Sequence, residues 1–202
     1  APGGDIFILK LDSATNFKWA RSFNGNLYSD FAWDIDVDKQ GNVLTIGQFR
    51  DTLDLDPSPS GTYLLTDPGH LRQAFLSKLD SSGQFVWAGA IGGAGDDYGF
   101  SFTIDDSSNI YLTGHCISNS PLDLDPGPGV DTIPGGSTFI VKLDSICQYR
   151  WGVRIGGTSS IEYGTSIAVD ASFNVITTGQ FNSIGDYDPG DSVLTLVPNG
   201  GY

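Results

Sequence analysis

Apolar and polar residues alternate in short runs along this chain, and clusters of turn-forming residues separate the runs. Asp5-Ile6-Phe7-Ile8-Leu9-Lys10-Leu11 concentrates β-branched and aromatic side chains, and Phe17, Trp19, Arg21 and Phe23 share one side of an extended 17–23. Both read as strands, joined by a polar turn at 12–16. Residues 34–38 alternate strictly, and Gly41-Asn42 leads into an apolar 43–49, which is a hairpin signal. The same order predicts strands near 74–80, 85–91, 100–105 and 110–115, and again near 138–143, 149–155, 165–170 and 175–181. No segment longer than a turn carries a capped 3.6-residue apolar period, so the expected fold class is all-β. The stretches that follow 43–49, 110–115 and 175–181 read as loops, with a short apolar piece at Tyr63-Leu64-Leu65.

The strand order is a repeat. Around Phe75-Leu76-Ser77-Lys78-Leu79-Asp80, Trp87-Ala88, Gly92-Gly93 and Asp97-Tyr98 stand two further copies. The first has Lys10-Leu11-Asp12, Trp19-Ala20, Asn24-Gly25 and Asp30-Phe31; the last has Lys142-Leu143-Asp144, Trp151-Gly152, Gly156-Gly157 and Glu162-Tyr163. Trp19, Trp87 and Trp151 recur 68 and then 64 residues apart. A nearly fixed period marks units that bury their faces against one another. Four short antiparallel strands in roughly 60 residues fit a β-propeller blade better than a sandwich, which needs no fixed repeat. The strands ending at Asp38, Asp105 and Asp170 are expected innermost, and the Trp-bearing strands at the outer edge.

Four submotifs carry a family resemblance: Asp-Tyr-Gly-Phe-Ser-Phe-Thr-Ile-Asp (97–105), Asn-Ile-Tyr-Leu-Thr-Gly (109–114), Ala-Phe-Leu-Ser-Lys-Leu-Asp (74–80) and Phe-Val-Trp-Ala with Ile-Gly-Gly (85–93). In this order they resemble the bacterial secreted β-propeller repeat family, SBBP, over nearly the whole chain. Asn24 replaces the first Gly of the Gly-Gly pair, and Phe173 stands where a turn Gly is expected. The resemblance implies one repeat region over 1–202. Residues 31–93 and 98–157 are complete four-stranded blades, 5–25 an outer half-blade, and 163–202 an inner half-blade with its loop. These make about three blade-equivalents, whereas propellers typically hold four to eight blades. Further repeats, or other copies of the chain, are therefore expected to complete the structure as a ring or a filament. The family also implies a secreted or cell-surface location. Ala1 and the absence of Met fit a processed protein or an internal piece of a longer one.

Composition narrows the partners. Ten basic against 24 acidic residues give a formal charge of −14, which repels phosphate backbones and anionic lipid. No nucleic-acid partner is expected, nor membrane insertion, since no apolar run approaches the ~18–20 residues that span a bilayer. Two cysteines, Cys116 and Cys147, do not make a disulfide scaffold. Placed at opposite ends of a blade, about 17–20 Å apart, they are expected as free thiols.

Candidate chemistry gathers on the face where the long loops emerge. Asp54 with Asp56, Asp123 with Asp125, and Asp186 with Asp188 precede Pro and Gly, offering paired hard oxygens that suit Ca²⁺. The alternative is that they cap turns through backbone amides. Asp30, Asp97 and Glu162 enter the innermost strands at equivalent places, where they would line a central opening and meet a cation or hydroxyl-rich ligand, or serve the repeat structurally. A glycosidase needs one specialised carboxylate pair, and acids repeated in every unit argue against that. Trp19, Trp87 and Trp151 are read as packing between blades rather than sugar platforms, and Trp33 as packing at an inner strand. Lys10, Lys78 and Lys142 read as solvated charges at strand ends. His70 and His115 have no partner at zinc spacing. These residues favour a non-enzymatic structural or interaction module. Its alternatives are a propeller that binds or cleaves surface glycans and a calcium-dependent adhesion module.

Overall fold

Six hairpin turns of one design set the strand lengths. Each opens on an aspartate whose Oδ1 accepts the backbone amides two and four residues on, at 2.8–3.0 Å: Asp12, Asp38, Asp80, Asp105, Asp144 and Asp170. The fourth residue of each turn has positive φ, whether it is Gly41 (82°) or Gly83 (80°), or Thr15, Ser108, Cys147 and Phe173 at 63–66°. Glycine adopts that conformation without strain. The others are held there by the aspartate and by an amide bond back to its carbonyl, as Phe173 N donates to Asp170 O at 2.9 Å. Phe173 thus occupies the glycine position without changing the turn.

A computed structural model of the chain describes residues 3–67, 69–157 and 162–199. The protein is all-β in that range. Strands β1 (Ile6–Leu11) and β2 (Phe17–Gly25) are followed by β3 (Phe31–Val37), β4 (Val43–Arg50), β5 (Thr52–Asp54) and β6 (Leu64–Thr66). Next come β7 (Arg72–Leu79), β8 (Phe85–Gly93), β9 (Asp97–Ile104), β10 (Ile110–Cys116), β11 (Leu122–Asp123) and β12 (Thr132–Ile133). The chain continues with β13 (Thr138–Leu143), β14 (Tyr149–Ile155), β15 (Tyr163–Val169), β16 (Val175–Gln180), β17 (Gly185–Asp186) and β18 (Thr195–Leu196).

The antiparallel order β3-β4-β7-β8 makes one blade and β9-β10-β13-β14 the next; β1-β2 and β15-β16 are half-blades. The inner strands begin about three residues earlier than the alternation predicted. The segments read as loops prove to be short hairpins that reach back to the outer edge of the preceding unit. There β5-β6 extends β2, β11-β12 extends β8, and β17-β18 meets the end of β14 through the Gly156–Asp186 bridge. Blade one is accordingly a six-stranded sheet, β3-β4-β7-β8-β11-β12. The straps pair with the last two residues of β2 and of β8 and with Gly156 just beyond β14, so they close the corner end of each outer edge.

The core lies between units rather than within them. Ile6, Ile8, Trp19 and Phe23 of the first half-blade pack with Phe49, Phe75 and Leu79 of blade one, and Phe23 meets Phe75 edge-on at 6.5 Å. Leu44, Leu76 and Ile91 pack in turn against Phe102, Leu112 and Phe139 of blade two. Polar bonds follow the same direction. Lys10 Nζ and Trp19 Nε1 donate to Ser81 O at 2.8 and 3.2 Å, and Arg21 Nε donates to Gly83 O at 2.8 Å. Lys78 Nζ donates to Ser145 O at 3.1 Å and pairs with Asp38 at 3.0 Å. Lys78 is buried, so the expected solvated charge is instead an interblade tie; its apolar stem runs inside the sheet and its ammonium reaches a carboxylate and a carbonyl. Trp19 is buried at a junction, while Trp151, with no following outer turn among the described residues, is 37% exposed against Tyr111. Cys116 and Cys147 are both free and buried.

Removing Lys78 leaves Asp38 buried without its cation. Lys78→Ala is expected to cost about 3–5 kcal/mol in urea unfolding, and Lys10→Ala, at the more open first junction, less than about 1 kcal/mol. Equal losses at the two sites would contradict the burial argument.

Candidate functional site

The corners where one unit hands over to the next hold the acidic residues singled out in the sequence. At each corner the outer strand ends in a small pair whose backbone is bound by the strap: Asn24 opposite Asp54, Gly92 opposite Asp123 and Gly156 opposite Asp186. Each strap aspartate turns its own loop. Oδ1 of Asp54 accepts the amides of Asp56 and Tyr63 at 3.1 and 2.9 Å, Asp123 those of Asp125 and Asp131 at 3.1 and 2.9 Å, and Asp186 those of Asp188 and Leu194 at 3.0 and 2.9 Å. Asp56, Asp125 and Asp188 then accept the amides of Ser58, Gly127 and Gly190. The turn-capping alternative describes these hydrogen bonds at all three loops. Among the described residues, no group of three or more His, Cys, Asp or Glu is placed to hold a metal ion.

Asp30, Asp97 and Glu162 sit beneath the corners rather than along an opening, at 4%, 0% and 1% exposure. Asp30 Oδ1 accepts Arg50 N at 3.1 Å, and Asp97 Oδ2 accepts Gly93 N at 2.7 Å. Glu162 accepts Gly157 N and Ser137 Oγ at 2.7 Å and Ser183 Oγ at 2.5 Å. The longer Glu162 thus binds at three points, whereas Asp30 Oδ2 and Asp97 Oδ1 are buried without a hydrogen-bond partner. A carboxylate so placed loses hydration without full replacement. Burial pushes Asp97 up to about 6, helped by Asp96 and Asp67 and opposed by the Cys116 thiol and the Gly93 amide. Burial likewise pushes Asp30 up to about 6.

One repeat position at the start of the third strand of each unit, held by Asp5, Gln73 and Ser137, also serves its corner, which the sequence reading missed. Asp5 accepts Gly25 N, Gln73 Nε2 donates to Gly93 O, and the single Ser137 hydroxyl proton is shared between Ile155 O and Glu162, both 2.7 Å from Oγ. Its signal was polarity at one repeat position, hidden because the three side chains differ. Cys116 donates to Ser118 O at 3.2 Å, and burial pushes its thiol up to about 12. His70 Nδ1 lies 3.0 Å from Asp51, and His115 packs edge-on to Tyr163 at 4.6 Å.

Beside the corner of blade one, a cleft of ≈ 590 Å³ is lined by Tyr63 and Trp87 with Asp67, Asp123 and Asp125. Along the inner strands an aromatic row links Phe31, Trp33 and Phe100, with Trp33 to Phe100 at 5.8 Å, and continues from Phe100 to Tyr163 at 6.2 Å.

Strapped four-stranded units, joined by buried acids and cross-unit bonds, define an array of β-propeller-type blades. Residues 86–120, covering β8 to β10 and the blade boundary between them, match the family model described as Beta-propeller repeat, SBBP. Over that stretch the chain matches a β-propeller repeat. It is also 25% identical over 197 residues to a WD repeat-containing protein, L264, of Acanthamoeba polyphaga mimivirus. That alignment covers 89% of this chain and 14% of L264, so the chain spans about one seventh of that relative's length. No helix of the described residues is long and apolar enough to cross a membrane.

The corner acids give the fold a pH signature. Asp30 and Asp97 hold protons in the folded chain between about pH 4 and 6 that the unfolded chain releases, so their contribution to stability falls as pH rises through that window. The turn acids act in the opposite sense. The Asn16 side-chain amide holds Asp12 down at about 2 and the Asn174 amide holds Asp170 below its ordinary range, so their contribution disappears as pH falls below about 4. The urea midpoint is expected to rise on acidifying from pH 7 to about 5 and to fall below about pH 4. Asp97→Asn should flatten the upper limb; an unchanged slope would contradict the assignment.

Proposed function

We propose that this chain is a non-enzymatic interaction module of a secreted or cell-surface protein, and that it works by joining to further propeller repeats through its half-blades. One observation carries this reading: among the described residues, the inner edge of β1 and the outer edge of β16 have no strand partner. Both open edges border apolar side chains left in water. Phe7, Leu9 and Leu11 are exposed on β1, and Ile176 is exposed on β16. Unpaired strands beside apolar patches favour strand addition. The secreted setting draws on the family resemblance. The non-enzymatic reading draws on corner acids that recur in each unit and are buried against backbone amides.

A second reading, recognition of a hydroxyl-rich surface glycan, draws on the cleft beside Trp87, where aromatic and carboxylate groups converge. Calcium bound by the strap aspartates is a third, and would have to displace the amides those carboxylates accept.

Assembly is tested by light scattering with electron microscopy of the same purified sample over a range of concentrations. The proposed role predicts rings or filaments of several chains. A chain that stays single at every concentration would remove it. The glycan reading predicts that soluble oligosaccharides change Trp87 fluorescence and that Trp87→Ala abolishes the change; a flat titration of the unmodified chain rejects it.

A further inference from the structure

The two open edges match residue by residue. In both complete blades the second and third strands pair in one register, with Val43 opposite Leu79 and Gly47 opposite Phe75, and Ile110 opposite Leu143 and Gly114 opposite Phe139. Laid onto β16 and β1, this register sets Val175 opposite Leu11, Thr177 opposite Leu9 and Gly179 opposite Phe7. The glycine is required. A Cβ on Gly47 would lie 2.8 Å from the Phe75 ring, and one on Gly114 2.6 Å from the Phe139 ring. Each also approaches a backbone carbonyl of the strand before it, as Gly179 does at Tyr163.

The rings differ in one respect. Phe75 and Phe139 are each 1% exposed, whereas Phe7 is 78% exposed. Leu11 is likewise open where Leu79 and Leu143 are fully buried, and Ile176 is 53% exposed where Leu44 is 1%. Opposite these, Gly179 borders a cleft of ≈ 240 Å³ walled by Ile155, Phe181 and Tyr187. Ile155 and Phe181 stand at the repeat positions of Phe23 and Phe49, which enclose Phe75 in blade one. An adjoining apolar cleft of ≈ 450 Å³, lined by Ile140, Trp151, Val153 and Val175, lies where a third strand would run.

We propose that β1 of a second copy of this chain docks along β16, and that Phe7 fills the cleft over Gly179 and fixes the register. The proposal rests on the half-blade reading and names its partner. The joined sheet would run β15-β16, then β1-β2 and β5-β6 of the second copy, which reproduces the strand order of blade one, strap included. The contact joins two different edges, so it is heterologous and either closes as a ring of copies or continues as a filament.

Cross-linking of full chains tests it. Directly opposed residues in an antiparallel pair have Cα atoms about 4.5–5.5 Å apart, within disulfide range. Leu9→Cys chains mixed with Thr177→Cys chains should give a disulfide-linked dimer under mild oxidation, and Phe7→Cys with Thr177→Cys should not. Cys116 and Cys147 are buried and do not compete. Phe7→Ala alters a side chain exposed in the single chain, so its circular dichroism and melting should be unchanged while association weakens at least tenfold. If chains assemble but cross-link in another register, or Phe7→Ala assembles as the unmodified chain does, the Phe7 key is overturned and the half-blade reading stands. If the unmodified chain never assembles, both fall.

Discussion

A four-stranded blade has two faces and no interior, so each blade depends on its neighbour for burial. The contact that expresses this constraint is Phe75, which lies over Gly47 in its own sheet and meets Phe23 and Phe49 at the junction with the half-blade before it. Glycine opposite phenylalanine makes the sheet thin where the ring enters, and the neighbouring unit supplies the wall. Blade two repeats the arrangement with Gly114 and Phe139. Stability in such an array is a sum over junctions rather than a property of one centre. That is why the ties from Lys10, Trp19, Arg21 and Lys78 all run from one unit to the turn of the next.

The magnitudes show what an unfinished junction means. Burying Phe7, Leu9, Leu11 and Ile176 would contribute about 1.5–3 kcal/mol each, or roughly 6–12 kcal/mol gross. Bringing two chains together costs an amount of the same order, about 4–15 kcal/mol. Apolar burial alone therefore does not decide the joint. In the proposed joint, pairing along the strand edge and a register set by one ring would add the remainder and would select edges that carry glycine at the matching place.

Much of this was legible because repeats expose their own grammar. The Trp spacing, the Lys-Leu-Asp strand ends and the Gly-Gly corners give the unit, its strand order and the two half-blades. That Cys116 and Cys147 are free follows from that order, whereas their burial does not. The straps were not legible: β11 and β17 are two residues long, too short for any period, and they form because Gly92 and Gly156 leave backbone open to them. Lys78 was read as solvated because sequence does not say whether a strand end faces water or another blade. The burial of Asp30, Asp97 and Glu162 was hidden for the same reason; an acid beside glycine looks like an exposed turn until the strap closes over it. The Asp-x-x-x-Asn/Gln turn was in plain view six times, but the aspartate was not recognised as the residue that caps it.

The proposed joint requires the open edge of β16 to accept a third strand. Hydrogen exchange of its backbone tests this most directly, followed across concentrations and set beside β4, whose two edges are both paired. The account predicts that β16 amides pointing away from β15 exchange freely in dilute chains and become protected as mass increases, while β4 stays protected throughout. Outward β16 amides already protected in single chains, or still unprotected in assemblies, would contradict it.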